Sequence, residues 1–369
     1  MNFDFSDDQK LLQTATRDFL EDKSPLTVNR SVLENGEPMD AALWTGAAEM
    51  GWLGTVIPES FGGAGFGHLE QVLVCEELGR ALAPIPYTSS SIAVEALLEY
   101  GSAEQQSSML PAFADGSAIG TVAIAEGKGI VRPDTLNTVY ENGSVTGTKV
   151  AVPDGVAANQ ALVIARSADG TSLAMVDLTA NGVTQSAAES IDPGRPVAEL
   201  RFENAPAQLI GDAGAGWSAL QDILDRGAVI AAFEQLGSAQ RAFDITREYI
   251  LDRYAFGRQI ASFQAIKHRM ADMYAALELA RSNCFYGAWA LSNSSDELKV
   301  AAPSARISAS DAFDLCSQEM IQMHGGVGFT WEFDCHMFYR RAKQLGHAIG
   351  TANEWRDKLI DRLVDQQVA

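Results

Sequence analysis

Three short stretches of the chain carry residues whose side chains or backbone could contact a phosphorylated, aromatic ligand. Arg253 ends a long helical pattern just before a glycine turn, where a guanidinium can bind a pyrophosphate through two parallel hydrogen bonds. Phe256 can stack on an aromatic ring, and Gln264 can hydrogen-bond a sugar or phosphate oxygen. Gly325 and Gly326 leave bare backbone that such a ligand can approach closely. These residue types suit a ligand that carries phosphate groups and an aromatic ring.

Each of these residues also has a purely structural interpretation. An arginine at the end of a helix is more often a solvated charge or one half of an intrachain salt bridge. The neighbouring Phe-Gly and Phe-Gln pairs nevertheless favour a binding role for Arg253. Phe256 is equally well explained as a core residue. His324, which precedes the two glycines, is best explained as a packed or backbone-bonded histidine.

The composition of the 369-residue chain excludes several classes of protein. With 27 Lys and Arg against 48 Asp and Glu, the formal net charge is −21, which disfavours binding to nucleic acid or to an anionic membrane. The four cysteines include no CxxC pair, so we expect neither a disulfide scaffold nor a metal site built from cysteines. The acidic start lacks the features of a signal peptide, and no apolar run reaches the ~18–20 residues that span a bilayer. We therefore expect a cytoplasmic protein.

Residue patterns divide the chain into three segments, which we predict to be domains. Residues 1–115 have helical periodicity, with Ser6 as the N-cap of the first helix. Residues 116–215 hold short β-branched or alternating runs separated by turn pairs, which indicates an antiparallel β domain. The turn pairs are Asn142-Gly143 and Asp169-Gly170. Residues 216–369 again show long amphipathic helical patterns, which are typical of a bundle.

Four groups of motifs follow one another along the chain. They are MGWLG at 50–54 with FGGAG at 61–65 and EELGR at 76–80; GAGW at 214–217; RYAFG at 253–257 with FQ at 263–264; and QMHGGVGF at 322–329 with RAK at 341–343. In this order the chain resembles the acyl-CoA dehydrogenase family over essentially its full length. The four groups of motifs together are specific to this family, although any one of them alone would be weak evidence for it.

The resemblance implies both a fold and a reaction. The fold is α+β, with an N-terminal α-helical domain, a middle antiparallel β domain and a C-terminal four-helix bundle. The reaction removes the α-proton and the β-hydride of an acyl-CoA thioester and leaves a 2,3-double bond and reduced FAD. In the family, the positions that match Arg253, Phe256, Gln264, Gly325 and Gly326 serve an FAD held mainly by the neighbouring subunit.

The position of the family's catalytic base departs from the usual pattern. The expected glutamate stands before a Gly-Thr pair, and here that position is Ile349, which cannot take up a proton. Some members carry the glutamate on the helix that opens the bundle, where this chain has Gly227. The nearest carboxylate there is Asp225, which has a shorter reach and is adjacent to Arg226. Asp225 is therefore only a weak candidate base, and a surface ion pair is the simpler interpretation.

The part of the middle segment that contacts the flavin in the family also departs from the family's usual sequence. Where the family has Thr-Glu-Pro-x-Ala-Gly-Ser-Asp, this chain has AIAEGKG at 123–129, so Glu126 is kept but the Gly-Ser-Asp element is missing. A later Trp-Ile-Thr strand is replaced by VAVPDG at 150–155, where Pro153 is expected to remove a ladder donor. The flavin cradle of this chain is therefore degraded.

Loss of the base and the cradle, with retention of the cross-subunit residues, indicates a division of labour between two chains. We expect this chain to be the non-catalytic member of an α2β2 acyl-CoA dehydrogenase whose homologous partner supplies the base and the main FAD cradle. Arg253, Phe256, Gln264 and Gln322 would then reach across to that FAD. Resemblance to the heteromeric enzymes of bacterial sterol side-chain degradation implies a bulky acyl-CoA substrate.

Two alternatives stay open. A self-sufficient homo-oligomeric flavoenzyme would use a displaced base, for which Asp225 and Glu126 are the candidates. A cofactor-free scaffold would keep the fold without touching FAD, and replacement of Arg253 would then leave the activity of the complex unchanged.

Overall fold

The computed structural model describes residues 5–368, with side chains as far as Asp365. The helices are α1 (Asp7–Lys23), α2 (Leu26–Asn35), α3 (Ala41–Glu49), α4 (His68–Arg80), α5 (Tyr87–Tyr100), α6 (Ala103–Ala114), α7 (Gly216–Asp252), α8 (Gln264–Ser292), α9 (Leu298–His324), α10 (Cys335–Leu345) and α11 (Ala352–Val368). The strands are β1 (Gly120–Ala123), β2 (Val139–Glu141), β3 (Ser144–Val152), β4 (Gln160–Ser167), β5 (Gly170–Asp177), β6 (Val183–Ala188), β7 (Val197–Ile210), β8 (Tyr254–Ala255) and β9 (Arg258–Gln259).

Several helices of the N-terminal segment begin at capping side chains. The Ser6 hydroxyl accepts a hydrogen bond from the backbone N–H of Gln9, and the Gln9 side chain accepts one from the backbone N–H of Ser6. This capping box opens α1 and confirms the predicted N-cap. Ser102 and Gln105 repeat the arrangement at α6, and Asp40 caps α3. Each cap satisfies backbone donors that the helix itself leaves unpaired.

Strands β1–β7 form a seven-stranded sheet within the described residues. Most neighbouring strands are antiparallel, as predicted, but β1 and β2 each pair with β4 in parallel. Such pairings join strands that are distant in sequence and leave no local turn signal, which is why sequence reasoning missed them. Asn142 and Gly143 form the predicted turn between β2 and β3, and both have the positive φ that a two-residue turn requires. Asp169 lies in the predicted turn between β4 and β5, and Gly170 opens β5.

The chain packs as two compact units, each assembled from separate stretches of sequence. The bundle unit comprises the described residues up to Ser31, His68–Ala83 and those from Ala228 onward; the sheet unit comprises Val32–Gly67 and Pro84–Gly227. The division into domains 1–115, 116–215 and 216–369 follows the change of secondary structure rather than these contacts, and it stays a prediction.

The bundle unit contains the long C-terminal helices. Helix α8 packs along α9, and α10 and α11 pack against α9 as well, which confirms the predicted helical bundle. Gly287 of α8 has Val229 of α7 and Ala305 of α9 as close neighbours, each 3.2 Å from the place where a Cβ would stand. Within the described part of the chain, no helix combines the length and the apolar character needed to cross a bilayer.

Two glycines let the main chains of α4 and α7 meet in the bundle unit. A Cβ added at Gly79 would lie 1.9 Å from the carbonyl oxygen of Glu234, and one at Gly237 would lie 1.8 Å from the carbonyl oxygen of Glu76. The two helices therefore cross at backbone distance. Any larger residue at either glycine would force them apart, because the packed interior cannot absorb the added volume.

Replacement of Gly237 by alanine should destabilise the full-length chain by about 2 kcal/mol or more, because the new methyl group separates α4 from α7. This loss exceeds the roughly 1 kcal/mol that alanine gains in helix propensity. Urea unfolding followed by circular dichroism would measure the change. Gly326→Ala is the matched control, since a Cβ there meets no atom within 4 Å. Equal unfolding midpoints for the two variants would contradict the close crossing.

Candidate functional site

The turn between α10 and α11 holds Ile349 at the position where the sequence pattern expects a base. Ile349 is 8% exposed and is therefore packed rather than open to solvent. Glu354, the nearest carboxylate along the chain, accepts hydrogen bonds from the backbone N–H and the hydroxyl of Thr351 at 2.7 and 2.8 Å. The backbone N–H of Glu354 donates in return to the Thr351 hydroxyl at 3.2 Å. This carboxylate is thus occupied in capping α11 and does not replace the missing glutamate.

A buried arginine anchors the end of α10, just before this turn. Arg306 of α9 is fully buried and donates hydrogen bonds to the side-chain oxygen of Gln235 and to the carbonyl oxygen of Leu345. Burial lowers the pKa of Arg306 to about 10, so the guanidinium stays charged at neutral pH. Because Leu345 is the last residue of α10, this contact holds the turn that carries Ile349.

Asp225 lies inside the sheet unit rather than on its surface. It is 2% exposed, so the surface ion pair expected from the sequence is wrong. Arg226 pairs instead with Glu95, Glu99 and Asp222 at 3.4, 3.0 and 3.2 Å. The side chains of successive helical residues point about 100° apart. The adjacency of Asp225 and Arg226 in sequence therefore did not predict the ion-pair partners of Arg226.

The space beside Gly227, the second position for a base, is filled by an apolar side chain. A Cβ added at Gly227 would lie 2.7 Å from both Cδ1 and Cγ1 of Ile92. A glutamate would fit there only if Ile92 moved, since real contacts of this kind are rarely closer than about 3 Å. The packing of α5 against α7 in the sheet unit thus favours glycine at this position.

Glu126 is held by three hydrogen bonds within the sheet unit. Its carboxylate accepts them from Lys149 Nζ at 2.7 Å and from the backbone N–H groups of Asn137 and Thr138 at 2.6 and 3.0 Å. Burial alone would raise the pKa of Glu126, but these donors outweigh it and lower the pKa to about 2. Burial lowers the pKa of Lys149 to about 8 against the opposing effect of Glu126. A carboxylate with so low a pKa is a poor proton acceptor.

The segment 150–155, which replaces the expected Trp-Ile-Thr strand, is fixed by a buried ion pair. Asp154 accepts hydrogen bonds from Arg195 at 2.5 and 2.6 Å and from the hydroxyl of Ser89 at 2.6 Å. Pro153 follows the last residue of β3. Pro153 therefore lies outside the strand, and the expectation that it removes a backbone hydrogen-bond donor from the sheet is wrong.

Arg253 follows the last residue of α7, and its side chain is exposed. Its backbone is held on both sides, since its N–H donates to the carbonyl of Tyr249 at 2.9 Å and its carbonyl accepts from the N–H of Ile260 at 2.8 Å. Its guanidinium makes no hydrogen bond or ion pair with any residue of the described chain. The positive charge is therefore available to a ligand.

Phe256 stands at the tip of the hairpin formed by β8 and β9. Its side chain is 95% exposed, so the interpretation as a core residue is wrong. Its φ of +53° lies in the left-handed region, which bulky residues rarely adopt. The nearest aromatic ring, that of Phe263, is perpendicular to it with the centroids 6.3 Å apart. Backbone strain and exposure at one aromatic residue together indicate a contact outside this chain.

The remaining predicted contact residues lie at helix ends. Gln264 is the exposed first residue of α8, and Gln322 is exposed near the end of α9. Gly325 has a φ of +64°, and a Cβ added at Gly325 or Gly326 would meet no atom within 4 Å. The backbone here is open to a ligand. We refer to one set of residues as the clasp surface, namely Arg253, Phe256, Gln264, Gln322, Gly325 and Gly326.

A stacked pair joins the end of α7 to the end of α9. The rings of Tyr249 and His324 lie 4.1 Å apart between centroids, and the Tyr249 hydroxyl donates to the carbonyl oxygen of His324 at 3.3 Å. The Nδ1 of His324 lies 2.7 Å from the carbonyl oxygen of Met320, and burial lowers the pKa of the histidine. The predicted packed histidine is confirmed. The pair brings Arg253, one turn after Tyr249, to the same end of the bundle unit as Gly325.

Sequence reasoning missed a run of exposed aromatic residues beside the glycines. Phe329, Trp331 and Phe333 are 87%, 46% and 41% exposed. The ring of Trp331 stacks on that of His336 with the centroids 4.4 Å apart, which orders the middle of the run. The alternation of aromatic and polar residues in FTWEF at 329–333 was the available signal. Exposed apolar groups that cluster in this way mark an interaction surface.

Comparison with known proteins identifies the family. The pattern of the acyl-CoA dehydrogenase N-terminal domain matches residues 6–117, and that of the C-terminal domain matches residues 214–364. Acyl-CoA dehydrogenase IpdE2 of Mycolicibacterium smegmatis is 31% identical over 350 residues, which are 95% of this chain and 96% of that protein. The chain belongs to the acyl-CoA dehydrogenase family. The mitochondrial short-chain specific acyl-CoA dehydrogenase of Homo sapiens is 31% identical, over 91% of this chain and 84% of that protein.

Two solved structures share the fold. The Tcur3481-Tcur3483 steroid ACAD has a TM-score of 0.90 and 31% identity, covering 98% of this chain and 99% of that chain. The ChsE4-ChsE5 complex from Mycobacterium tuberculosis has a TM-score of 0.89 and 27% identity, covering 99% of both. These similarities confirm the predicted α+β fold with its helical, β and helical segments. Acyl-CoA dehydrogenases are oxidoreductases that use FAD.

Replacement of Glu126 by glutamine should destabilise the full-length chain by about 1–2 kcal/mol near neutral pH, because Lys149 and two backbone donors lose a charged acceptor. The pKa of Glu126 is lower in the folded chain, about 2, than its ordinary value of 4.5. The contribution of its charge to the free energy of unfolding is therefore complete above pH 4.5 and is lost as the pH falls towards 2.

Urea unfolding of wild type and Glu126→Gln at neutral pH and at acidic pH would test this dependence. The difference in unfolding free energy between the two proteins should shrink as the pH is lowered. Glu141→Gln is the matched control, since Glu141 is an exposed residue of the same sheet. A difference that stays constant over this pH range would contradict the assigned role of Glu126.

Proposed function

We propose that this member of the acyl-CoA dehydrogenase family is the non-catalytic subunit of a hetero-oligomeric, FAD-dependent enzyme. A homologous partner chain supplies the catalytic base and holds most of the FAD, and the clasp surface of this chain contacts the same FAD. The observation that carries the proposal is a contrast within one chain. Ile349 occupies the position of the base, whereas Arg253 presents an exposed and uncompensated positive charge.

The candidate bases of this chain are each poorly suited to the reaction. Ile349 has no group that accepts a proton, and Gly227 has no side chain at all. Glu126 has a pKa of about 2, and Asp225 is buried and has a short reach. Removal of the weakly acidic α-proton of a thioester needs a positioned base whose pKa lies nearer to neutrality. We therefore assign proton abstraction to the partner chain.

The clasp surface fits the phosphate and adenine portions of an FAD that is held by another chain. The guanidinium of Arg253 can bind a pyrophosphate through two hydrogen bonds without first breaking an internal ion pair. Phe256 offers an exposed ring for stacking. Gly325 and Gly326 allow the ligand to approach the backbone. FAD, when bound, supplies the hydride-accepting chemistry, and the residues of this chain bind and orient it.

The hetero-oligomer and its substrate class are supported by two of the similar structures. The Tcur3481-Tcur3483 structure and the ChsE4-ChsE5 complex each carry the names of two proteins, and the first is described as a steroid ACAD. The exposed aromatic run at 329–333 would be covered by a partner in such an assembly. We infer an α2β2 assembly that acts on a bulky acyl-CoA such as a steroid side-chain thioester.

The two alternative functions account for fewer of these observations. A self-sufficient homo-oligomer needs a displaced base, and of its two candidates Asp225 is buried and Glu126 is held in an ion pair with Lys149. A cofactor-free scaffold leaves the unpaired Arg253 and the strained, exposed Phe256 without a role. The scaffold and the proposed FAD-contacting subunit differ in one measurable respect, which is the effect of replacing Arg253 on the FAD content of the complex.

Replacement of Arg253 by glutamine should weaken FAD binding by the co-expressed complex roughly 10- to 100-fold, since a charge-assisted hydrogen bond contributes about 1.5–3 kcal/mol. The chain to co-express is a homologue that carries the catalytic glutamate and the Gly-Ser-Asp element missing here, and the flavin absorbance of the purified complex gives the occupancy. Arg247→Gln removes an exposed charge six residues earlier on α7 and should leave FAD binding unchanged. Unchanged FAD content in Arg253→Gln would favour the scaffold instead.

The chain expressed without its partner should be colourless and should not dehydrogenate acyl-CoA thioesters, because it lacks the base and the flavin cradle. A visible absorption spectrum and an assay with an artificial electron acceptor would test this expectation. A yellow homo-oligomer with stoichiometric FAD and dehydrogenase activity would contradict the division of labour and would favour the self-sufficient enzyme.

A further inference from the structure

A cavity of about 370 Å³ lies in the bundle unit between the end of α1, the start of α2, the end of α4 and the middle of α7. Its wall is mixed, with apolar groups from Leu20, Leu26 and Ala81 beside charged side chains. The charged residues are three arginines and two glutamates, of which Glu77 is buried and Glu21 is exposed. Small-molecule sites typically combine an apolar wall with a few polar groups in a volume of roughly 300–1,000 Å³. The cavity has the size and the wall of such a site.

Two of the three arginines are neutralised by carboxylates. Arg17 binds Glu77 through two hydrogen bonds of 2.9 and 2.6 Å. The hydrogen bond to Glu77, with a smaller contribution from the charge of Glu21, raises the pKa of Arg17. Arg80 pairs with Asp244 at 2.8 Å. The positive charges of Arg17 and Arg80 are therefore balanced within the chain.

The third arginine, Arg241 of α7, has no such partner. Its side chain is half-buried, and its guanidinium makes no hydrogen bond, ion pair or ring contact with any residue of the described chain. A half-buried guanidinium loses hydration without gaining a counter-charge, which is unfavourable. The chain has 48 acidic against 27 basic side chains, so a shortage of carboxylates does not explain the unpaired charge.

We propose that this cavity binds a small organic anion, a carboxylate or a phosphate, whose charged end contacts Arg241 and whose apolar part lies against Leu20 and Leu26. A guanidinium can bind either anion through two parallel hydrogen bonds. Arg241 lies twelve residues before Arg253 on α7, which is about 18 Å along the helix axis. The site is therefore separate from the clasp surface, and its existence does not depend on the proposed function.

Calorimetric titration of the full-length chain with hexanoate and, separately, with inorganic phosphate tests the proposal at physiological salt. Hexanoate carries both an oxyanion and an apolar tail, whereas phosphate carries the oxyanion alone. We expect saturable binding of at least one probe. Stronger binding of hexanoate would assign the site to carboxylates with an apolar body, and stronger binding of phosphate would assign it to phosphorylated ligands.

Arg241→Gln should weaken the binding of either probe by at least about tenfold, because the counter-charge is removed. Arg247→Gln removes an exposed charge six residues further along the same helix and should leave binding unchanged. Leu26→Ala should weaken hexanoate more than phosphate, since only hexanoate contacts the apolar wall. Failure of both probes to saturate, or equal weakening by Arg241→Gln and Arg247→Gln, would overturn the proposal.

The stability of the Arg241 variants separates a binding role from a structural one. Because Arg241 has no partner inside the described chain, Arg241→Gln and Arg241→Met should both fold, and without ligand their thermal midpoints should equal or exceed that of wild type. A lower midpoint in both variants would make Arg241 a structural residue and would overturn the proposal even if binding were lost.

Discussion

The contact between the main chains of α4 and α7 sets the geometry on which the bundle unit depends. Gly79 and Gly237 bring each helix against a carbonyl oxygen of the other, so the course of α7 is determined by backbone contact rather than by adjustable side chains. From that crossing α7 continues to Tyr249, which stacks on His324, and then to Arg253. The exposed end of the unit is thus presented by a rigid helix, which suits a surface that must meet a cofactor in a defined position.

Cations in the two units fall into two groups that differ in whether the chain supplies a counter-charge. Lys149, Arg195 and Arg226 are buried and each meets one or more carboxylates. Arg253 and Arg241 meet none within the described chain, although acidic residues outnumber basic ones. A buried cation is tolerated when it is paired or is hydrogen-bonded to other oxygens, as Arg306 is, whereas one without such partners is open to an external anion. We therefore propose external anions as the partners of Arg253 on the clasp surface and of Arg241 in the cavity wall.

The apolar residues at the two base positions are consistent with a chain that no longer performs proton transfer. Ile349 and Ile92 are both buried, and burial of such a side chain contributes about 1.5–3 kcal/mol to stability. A carboxylate in either place would lose that contribution and would add the unfavourable desolvation of a charge. Active sites commonly sacrifice stability in this way, and under the proposed division of labour this chain would recover it.

Features that depend on a few neighbouring residues could be predicted from the sequence. The Ser6 cap and the Asn142-Gly143 turn follow from side-chain and backbone preferences that act over two to four residues, and the order of motifs was specific enough to identify the family and its fold. The parallel pairings of β4, the burial of Asp225 and the exposure of Phe256 could not be predicted in this way. The unpaired state of Arg241 escaped prediction for the same reason. Each of these is set by groups that come together only when distant parts of the chain pack, and a local pattern carries no information about which groups those are.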